Sequence, residues 1–239
     1  MPTRNYIKEF AATHRAPYLG MPPGMVLCDD VADLPSDVRS VWLNRKTKHI
    51  DDLPRFREIR RVHSPLHEEW LPAFASMPNL EHVKLTLPKC KDIPSLACLK
   101  NLRTLVLGWN RQQESLEFVR GMDWLHSLCV SEAMGVTSLE PLSTLPELRE
   151  IYIDGQISAR YQVESLNPLS ALKELQFAVL LVRLPKERRN LLPLKQLKKL
   201  EYLWLSDDYY PSEYDALLDA LPQLKEICFN GGKRWPAPK

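Results

Sequence analysis

The sequence has little of what marks a secreted, disulfide-bonded protein or a membrane protein. It contains five cysteines, an odd number, and no C-x-x-C pair, so neither a disulfide framework nor a zinc ribbon is indicated. Its longest wholly apolar run is residues 177–182, far below the ~20 residues of a membrane-spanning helix. The charged N-terminus shows no secretory signal. We therefore expect reduced cysteines, a cytoplasmic location and no contact with a membrane.

The sequence also lacks an excess of charge and the short motifs of common enzymes. Its formal net charge is only +2, which gives no reason to expect a nucleic acid or an acidic membrane as a partner. It has no G-x-x-x-x-G-K-[ST], G-x-G-x-x-G, G-x-S-x-G or H-E-x-x-H motif. His63 and His67 are four residues apart, but Pro65 between them interrupts a helix. We expect no catalytic activity, no cofactor and no metal site.

What the sequence does contain is a recurring L-x-x-L-x-L spacing, seen most clearly within residues 138–154. There the three positions are Leu148, Ile151 and Ile153. The last two are two residues apart, so on a β-strand they point to the same face. The leucines upstream recur at every third residue, as Leu139, Leu142 and Leu145. That spacing predicts a short 3₁₀ or irregular helical turn with one buried edge.

The same spacing extends along almost the whole chain. Its first apolar position falls at Val38, Phe56, Leu80, Leu102, Leu125, Leu148, Leu172, Leu200 and Leu224. Successive positions are 18 to 28 residues apart, and only Arg61 breaks the apolar rule at the third position. One unit of this length buries too few side chains to be stable alone. The repeats therefore predict an elongated array in which each unit packs on its neighbours.

These residues resemble the leucine-rich repeat family over roughly residues 34–230. The closest resemblance is to the short, 22–24-residue internalin-like repeats, in the segments Ser95–Asn110, Leu166–Phe177 and Leu191–Leu205. The resemblance implies an α/β solenoid, an arc whose parallel β-sheet lines the concave side while short 3₁₀ or irregular helical turns line the convex side. We expect an N-terminal cap at 1–33, about nine repeats at 34–230 and a C-terminal tail at 231–239.

Alternation along the predicted strands leaves several aromatic side chains on the face away from the core. Together with an acidic-aromatic loop that follows one strand, they form our predicted partner-binding set: Trp42, Trp109, Tyr152, Tyr202, Trp204, Asp207, Asp208 and Tyr209. Aromatic side chains are common anchors of protein interfaces. The sequence thus favours a monomeric, non-catalytic scaffold that binds another protein, such as an immunity or regulatory protein that blocks a toxin or an enzyme.

Two basic segments keep a second function open. Residues 39–61 and 183–189 are rich in Arg and Lys, and clusters of this kind bind nucleic acids or phosphate-bearing ligands in some proteins. Most such segments are simply solvated surface. Near the C-terminus, Ser212–Leu221 predicts a helix with Ser212 as its N-cap, and Trp235 is expected to fold back onto the last repeat.

Overall fold

The computed structural model describes residues 24–87, 93–108, 114–131, 135–154, 161–206, 209–224, 227–229 and 233–235. Its central feature is one β-sheet in which ten strands run parallel and follow each other in chain order. The ten strands are Val26–Asp30 (β1), Ser40–Lys48 (β2), Arg61–Pro65 (β3), His82–Thr86 (β4), Thr104–Gly108 (β5), Ser127–Val130 (β6), Glu150–Asp154 (β7), Phe177–Arg183 (β9), Tyr202–Leu205 (β10) and Ile227–Phe229 (β11). The predicted solenoid arc with a parallel concave sheet is confirmed.

Two further strands complete the sheet. Tyr161–Gln162 (β8) pairs in parallel with the C-terminal end of β9, and Lys233–Trp235 (β12) pairs antiparallel with β11. Thus β12 covers the outer edge of the last parallel strand. No helix within the described ranges is both long and apolar enough to cross a bilayer.

The strands form where the second and third positions of the repeat supply apolar side chains two residues apart. In β7, Ile151 and Ile153 are fully buried, and Ile151 aligns with Leu128 of β6. Leu203 of β10 is buried in the same way. These side chains meet the leucines of the turns in one continuous core between the two layers. Ile151 and Leu203, each at the second position of its repeat, therefore point inward as the spacing predicts.

The opposite layer consists of short turns, as the three-residue leucine spacing predicted. The 3₁₀ helices are Val31–Asp33, Ile50–Arg55, Glu68–Trp70, Glu117–Val119, Glu140–Thr144, Asn167–Ala171, Lys186–Arg188 and Leu192–Gln196. The backbone N–H of Leu142 donates to the carbonyl of Leu139 (3.0 Å), and that of Leu145 donates to Leu142 (3.1 Å). Each leucine thus closes a hydrogen-bonded turn while its side chain enters the core. Within the described ranges the α-helices are Leu71–Ala75 (α1) and Pro211–Ala220 (α2).

In two repeats the predicted register is wrong by three residues. The pairing of Ile151 with Ala178 makes Leu175, not Leu172, the first position of that repeat. Likewise Val41 pairs with Val62, so Ile59 replaces Phe56. The register was misread because two positions have the same spacing. A leucine of the turn and the first position of the strand are each followed by an apolar residue three places later.

The corrected register changes which side chains face the core. Arg61 is no longer an exception, since it precedes the inward-facing Val62, and the third position of its repeat is the buried Ser64. Phe177 moves from an inward position to the face away from the core. Glu174 leaves the strand altogether and forms an ion pair with Lys199, Oε2 to Nζ 2.6 Å.

Both ends of the described array contain more structure than the repeats alone predicted. Strand β1 lies within the range 1–33 that we expected to cap the array, and it is already in register with β2. At the C-terminus the indole N–H of Trp235 donates to Asp215 Oδ1 at 2.7 Å, which confirms that this residue folds back. Helix α2 begins at Pro211 with Tyr210 as its N-cap, so the prediction of Ser212 as N-cap is wrong.

Candidate functional site

The candidate site lies on the concave face of the sheet, the face away from the core. The central row of side chains on this face runs across all ten parallel strands: Leu27, Trp42, His63, Lys84, Val106, Cys129, Tyr152, Val179, Trp204 and Cys228. His63 and Val179 replace Arg60 and Gln176, which the uncorrected register had placed here. The row changes from polar at β3 and β4 to apolar at β5 and β6.

An apolar cluster, separate from the main core, occupies this face between β5 and β10. Its buried members are Val106, Cys129, Phe177 and Val179, and its half-buried members are Tyr152, Leu181, Tyr202 and Trp204. We call these eight residues the apolar patch. Phe177 and Tyr202 stack with ring centroids 4.5 Å apart and an angle of 4° between the planes. Burial raises the pKa of the Cys129 thiol to about 12 and also raises the pKa of Tyr152, so both groups are neutral.

The structure brings three of the predicted partner-binding residues together and separates the others. Tyr152, Tyr202 and Trp204 are all members of the apolar patch. Trp42 lies on the same face at β2, with 39% of its surface exposed. Tyr209 is only 7% exposed and packs in the main core, with its ring centroid 6.3 Å from that of Tyr214. Its predicted place on the open surface is therefore wrong.

The remaining predicted residues, Trp109, Asp207 and Asp208, lie outside the described residues. Conversely, the prediction missed Phe177 and Val179, because the slipped register placed Phe177 in the core. One signal could have found them. Leu166, Leu169, Leu172 and Leu175 form an unbroken series at three-residue spacing, and such a series ends at the first position of a strand in the other repeats.

A groove adjoins the apolar patch at the N-terminal ends of β3 to β9. It has a volume of about 600 Å³ and is lined by Arg60, Arg61, Glu81, His82, Arg103, Thr104, His126, Ser127, Arg149, Glu150 and Gln176. We call it the arginine groove. Its four arginines face two glutamates, so the lining carries an excess of two positive charges while its histidines are neutral.

The backbone fixes the spacing of these side chains. The carbonyl of Arg60 accepts hydrogen bonds from the N–H groups of both Glu81 and His82, each at 3.0 Å. The same double acceptance recurs at each following repeat as far as Gln176, whose carbonyl accepts from Glu201 and Tyr202. Neighbouring side chains along the groove therefore stand one strand spacing apart, about 4.8 Å.

The histidines of the groove have lowered pKa values, to which the nearby positive charges contribute. Burial, followed by the nearby charges of Arg149 and Arg103, lowers the pKa of His126. His82 is 4% exposed, and its pKa is lowered to about 3 by burial and then by His63, Arg61 and Lys84. Its Nε2 atom is buried and has no hydrogen-bond partner among the described residues. The lining of the groove therefore has a net positive charge, and His82 adds a buried polar atom without a partner among the described residues.

No metal centre is visible in the part of the chain that the structure describes, where no three His, Cys, Asp or Glu side chains group suitably for an ion. His63 and His67 do not converge on a shared ligand. His63 is stacked near His82 with centroids 6.1 Å apart, whereas His67 packs on Trp70 at 4.3 Å.

The repeat unit is now defined by geometry: a parallel strand carrying L-x-x-L-x-L, followed by a short turn of leucines at every third residue, stacked ten strands deep. The chain has a leucine-rich repeat fold. No family model and no curated protein matches this sequence. The internalin-like subtype stays a prediction.

Solved structures with some similarity to this chain include these two. One is the leucine-rich repeat protein LIC12759 of Leptospira interrogans, with a TM-score of 0.43 and 16% identity over 81% of this chain and 62% of that one. The other is the mouse RP105/MD-1 complex, with a TM-score of 0.48 and 14% identity over 87% of this chain and 41% of that one. The chain spans less than two thirds of the length of either match.

Proposed function

We propose that this leucine-rich repeat chain is a non-catalytic scaffold that binds a partner protein on its concave face. The observation that supports the proposal is the apolar patch, a second hydrophobic cluster on the side of the sheet that the core does not use. A sheet face that only contacts water needs no such cluster. Large apolar or aromatic groups in one place on a surface are typical of interaction sites.

The chemistry of the patch fits a protein better than a small molecule. Its half-buried aromatic side chains, Tyr152, Tyr202 and Trp204, combine a large apolar area with polar tips, and residues of this kind account for much of the binding energy at protein interfaces. Because they stand on β7 and β10, which are both hydrogen-bonded to β9 between them, little conformational entropy is lost when a partner docks.

The finer proposal is that the partner is a toxin or an enzyme that the scaffold blocks, as an immunity or regulatory protein would. A concave, rigid surface supports this role because it can cover a convex functional region of another protein. We propose a cytoplasmic location and a monomeric state for the free protein. The test of inhibition is to measure the activity of the captured partner with and without the scaffold.

The decisive experiment is to remove the aromatic anchors. The variant Tyr202→Ala/Trp204→Ala is compared with wild type in affinity capture from an extract of the native host, followed by mass spectrometry and calorimetry on the captured partner. Tyr210→Ala is the matched control, because Tyr210 is 67% exposed and lies at the N-cap of α2, outside the strands of the sheet. Loss of a partner only in the double variant supports the proposal.

Two outcomes would contradict it. One is that the double variant keeps the partner with unchanged affinity while its circular dichroism spectrum and melting temperature match those of the wild type. The other is that Tyr210→Ala loses the partner to the same extent. Truncating two anchors at one interface typically costs more than ~2 kcal/mol, or over thirtyfold in affinity.

Binding of nucleic acid or a phospho-ligand through segments 39–61 and 183–189 is not favoured by a specific observation. In the first segment Arg55 pairs with Asp52 at 2.9 Å and Arg60 with Glu81 at 2.7 Å. These ion pairs offset part of the positive charge on which that alternative depends.

A further inference from the structure

The arginine groove is not explained by the apolar patch alone. It brings together side chains from six repeats, those of β3 to β7 and of β9, so that Arg61 and Arg149 line one groove although they are far apart in the sequence. We propose that the arginine groove binds an acidic, extended segment of the partner protein, through carboxylates spaced about 10 Å apart. This inference rests on the proposed function, because it names a second contact for the same partner.

The first support is the supply of uncompensated guanidinium groups. Arg103 donates one hydrogen bond from Nη1 to the carbonyl of Trp124 at 3.0 Å, which orients the side chain; among the described residues its other N–H groups are left for a ligand. Arg149 meets Glu147 only at 3.9 Å, the outer limit of an ion pair. By contrast, Arg60 is neutralised by Glu81. Arg103 and Arg149 are therefore the main candidate anchors.

The second support is the unused polar atom in the groove. His82 lines the groove, is more than nine-tenths buried and is neutral, and its Nε2 has no partner within the described residues. In the tautomer with the proton on Nε2, this atom donates a hydrogen bond to a carboxylate. A buried polar atom without a partner is destabilising, so a carboxylate that reaches it by displacing the side chains around it would relieve that cost.

The spacing of the anchors indicates the form of the ligand. Arg103 belongs to the repeat of β5 and Arg149 to that of β7, so they stand two strand spacings apart, about 10 Å. A polyproline II segment repeats its side-chain direction every three residues and rises about 9 Å over them. Acidic residues at every third position of such a segment, running across the strands, would meet both arginines.

The carboxylates in the groove distinguish an acidic polypeptide from a nucleic acid. Glu81 lies between Arg60 and Arg103 along the groove, and Glu150 follows Arg149. A nucleic acid carries a charge at every nucleotide, so some phosphates would face Arg60, whose charge Glu81 already offsets, or the carboxylate of Glu150, and would gain little there. A polypeptide can place a neutral or basic residue there. The alternating lining therefore favours a protein ligand over a polyanion of uniform charge.

The test uses a fluorescein-labelled peptide with Glu at every third position, titrated with the 239-residue chain and followed by anisotropy. We expect Arg103→Gln/Arg149→Gln to weaken binding at least tenfold. The control Lys46→Gln/Lys48→Gln removes the same charge from exposed positions on β2 and should change the affinity less than twofold. If the double arginine variant does not fold, the peptide affinity of Arg149→Gln alone is compared with that of the wild type.

Three results would overturn the proposal: no binding of the peptide, equal weakening by the arginine and lysine variants, or tighter arginine-dependent binding of pyrophosphate or a single-stranded oligonucleotide. The variant Tyr202→Ala/Trp204→Ala should bind the peptide as wild type does, since the apolar patch is not part of the arginine groove. The experiments therefore distinguish a wrong proposal for the apolar patch from a wrong proposal for the arginine groove.

Discussion

Acid should destabilise this protein through His82, and the structure gives the size of the effect. His82 sits on β4 between Arg61 of β3 and Thr104 of β5. The charged or titratable groups that lower its pKa to about 3 are His63, Arg61 and Lys84, after burial itself. In the unfolded chain the pKa of a histidine is near 6.5. The perturbation is His82→Asn, which keeps a polar side chain but removes the titration.

The sign follows from which state binds the proton. Above pH 6.5 His82 is neutral in both the folded and the unfolded chain, so it adds no pH dependence to the free energy of unfolding there. As the pH falls below 6.5 the unfolded chain takes up a proton and the folded chain does not, so the free energy of unfolding decreases by about 1.4 kcal/mol per pH unit. Between pH 6.5 and pH 4.5 the accumulated loss is about 2–3 kcal/mol, and it ends as the pH approaches the folded-state pKa.

The assay is urea denaturation followed by circular dichroism at several pH values from 7.5 to 4.5. We expect the variant to show a shallower loss of stability than the wild type over this window, whatever its absolute stability. His63 has its pKa lowered to about 4 and should act in the same direction. The control is His49→Asn, because the hydrogen bond with Asp30 raises the pKa of that exposed histidine. Parallel pH profiles for wild type and His82→Asn would refute the reasoning.

Two further predictions concern the core and the C-terminus. Ile151→Ala should lower the free energy of unfolding by about 2–5 kcal/mol, because it leaves a cavity in the continuous core. The matched control is Leu192→Ala, which truncates a leucine that is 58% exposed. It should cost less than about 1 kcal/mol in the same denaturation experiment. Trp235→Phe removes the indole donor to Asp215 and should speed amide hydrogen exchange in β12 without altering exchange in β5. Equal exchange in β12 of the wild type and the variant would contradict the capping role of this hydrogen bond.

Much of the fold was determined by local spacing. Apolar residues two apart define the inner face of a strand, and leucines three apart define a turn with one buried edge, so Leu142 and Ile151 were placed correctly without any tertiary information. The same reasoning placed Tyr152 and Trp204 on the open face, because alternation along a strand is a property of the chain itself. Parallel stacking followed from the inability of one unit to form a core alone.

The structure corrected the points at which two local patterns coincide. The spacing from Leu172 to Leu175 suits a turn as well as the start of a strand, and only the backbone pairing of Ile151 with Ala178 distinguishes the two. That choice moves Phe177 from the core to the apolar patch. Tyr209 shows the complementary case, since an aromatic residue after a strand can turn inward when Tyr214 of the next helix offers a packing surface.

By itself, the sequence determined that this chain is an array of stacked strands and leucine turns with aromatic side chains on the free face. Only the tertiary structure decided that Phe177 completes an apolar patch and that Arg61, Arg103 and Arg149 line one groove. The physical reason is that the spacing of apolar residues is a local property of each repeat. The neighbours of a side chain across the sheet, by contrast, are determined by hydrogen bonds between residues more than twenty positions apart.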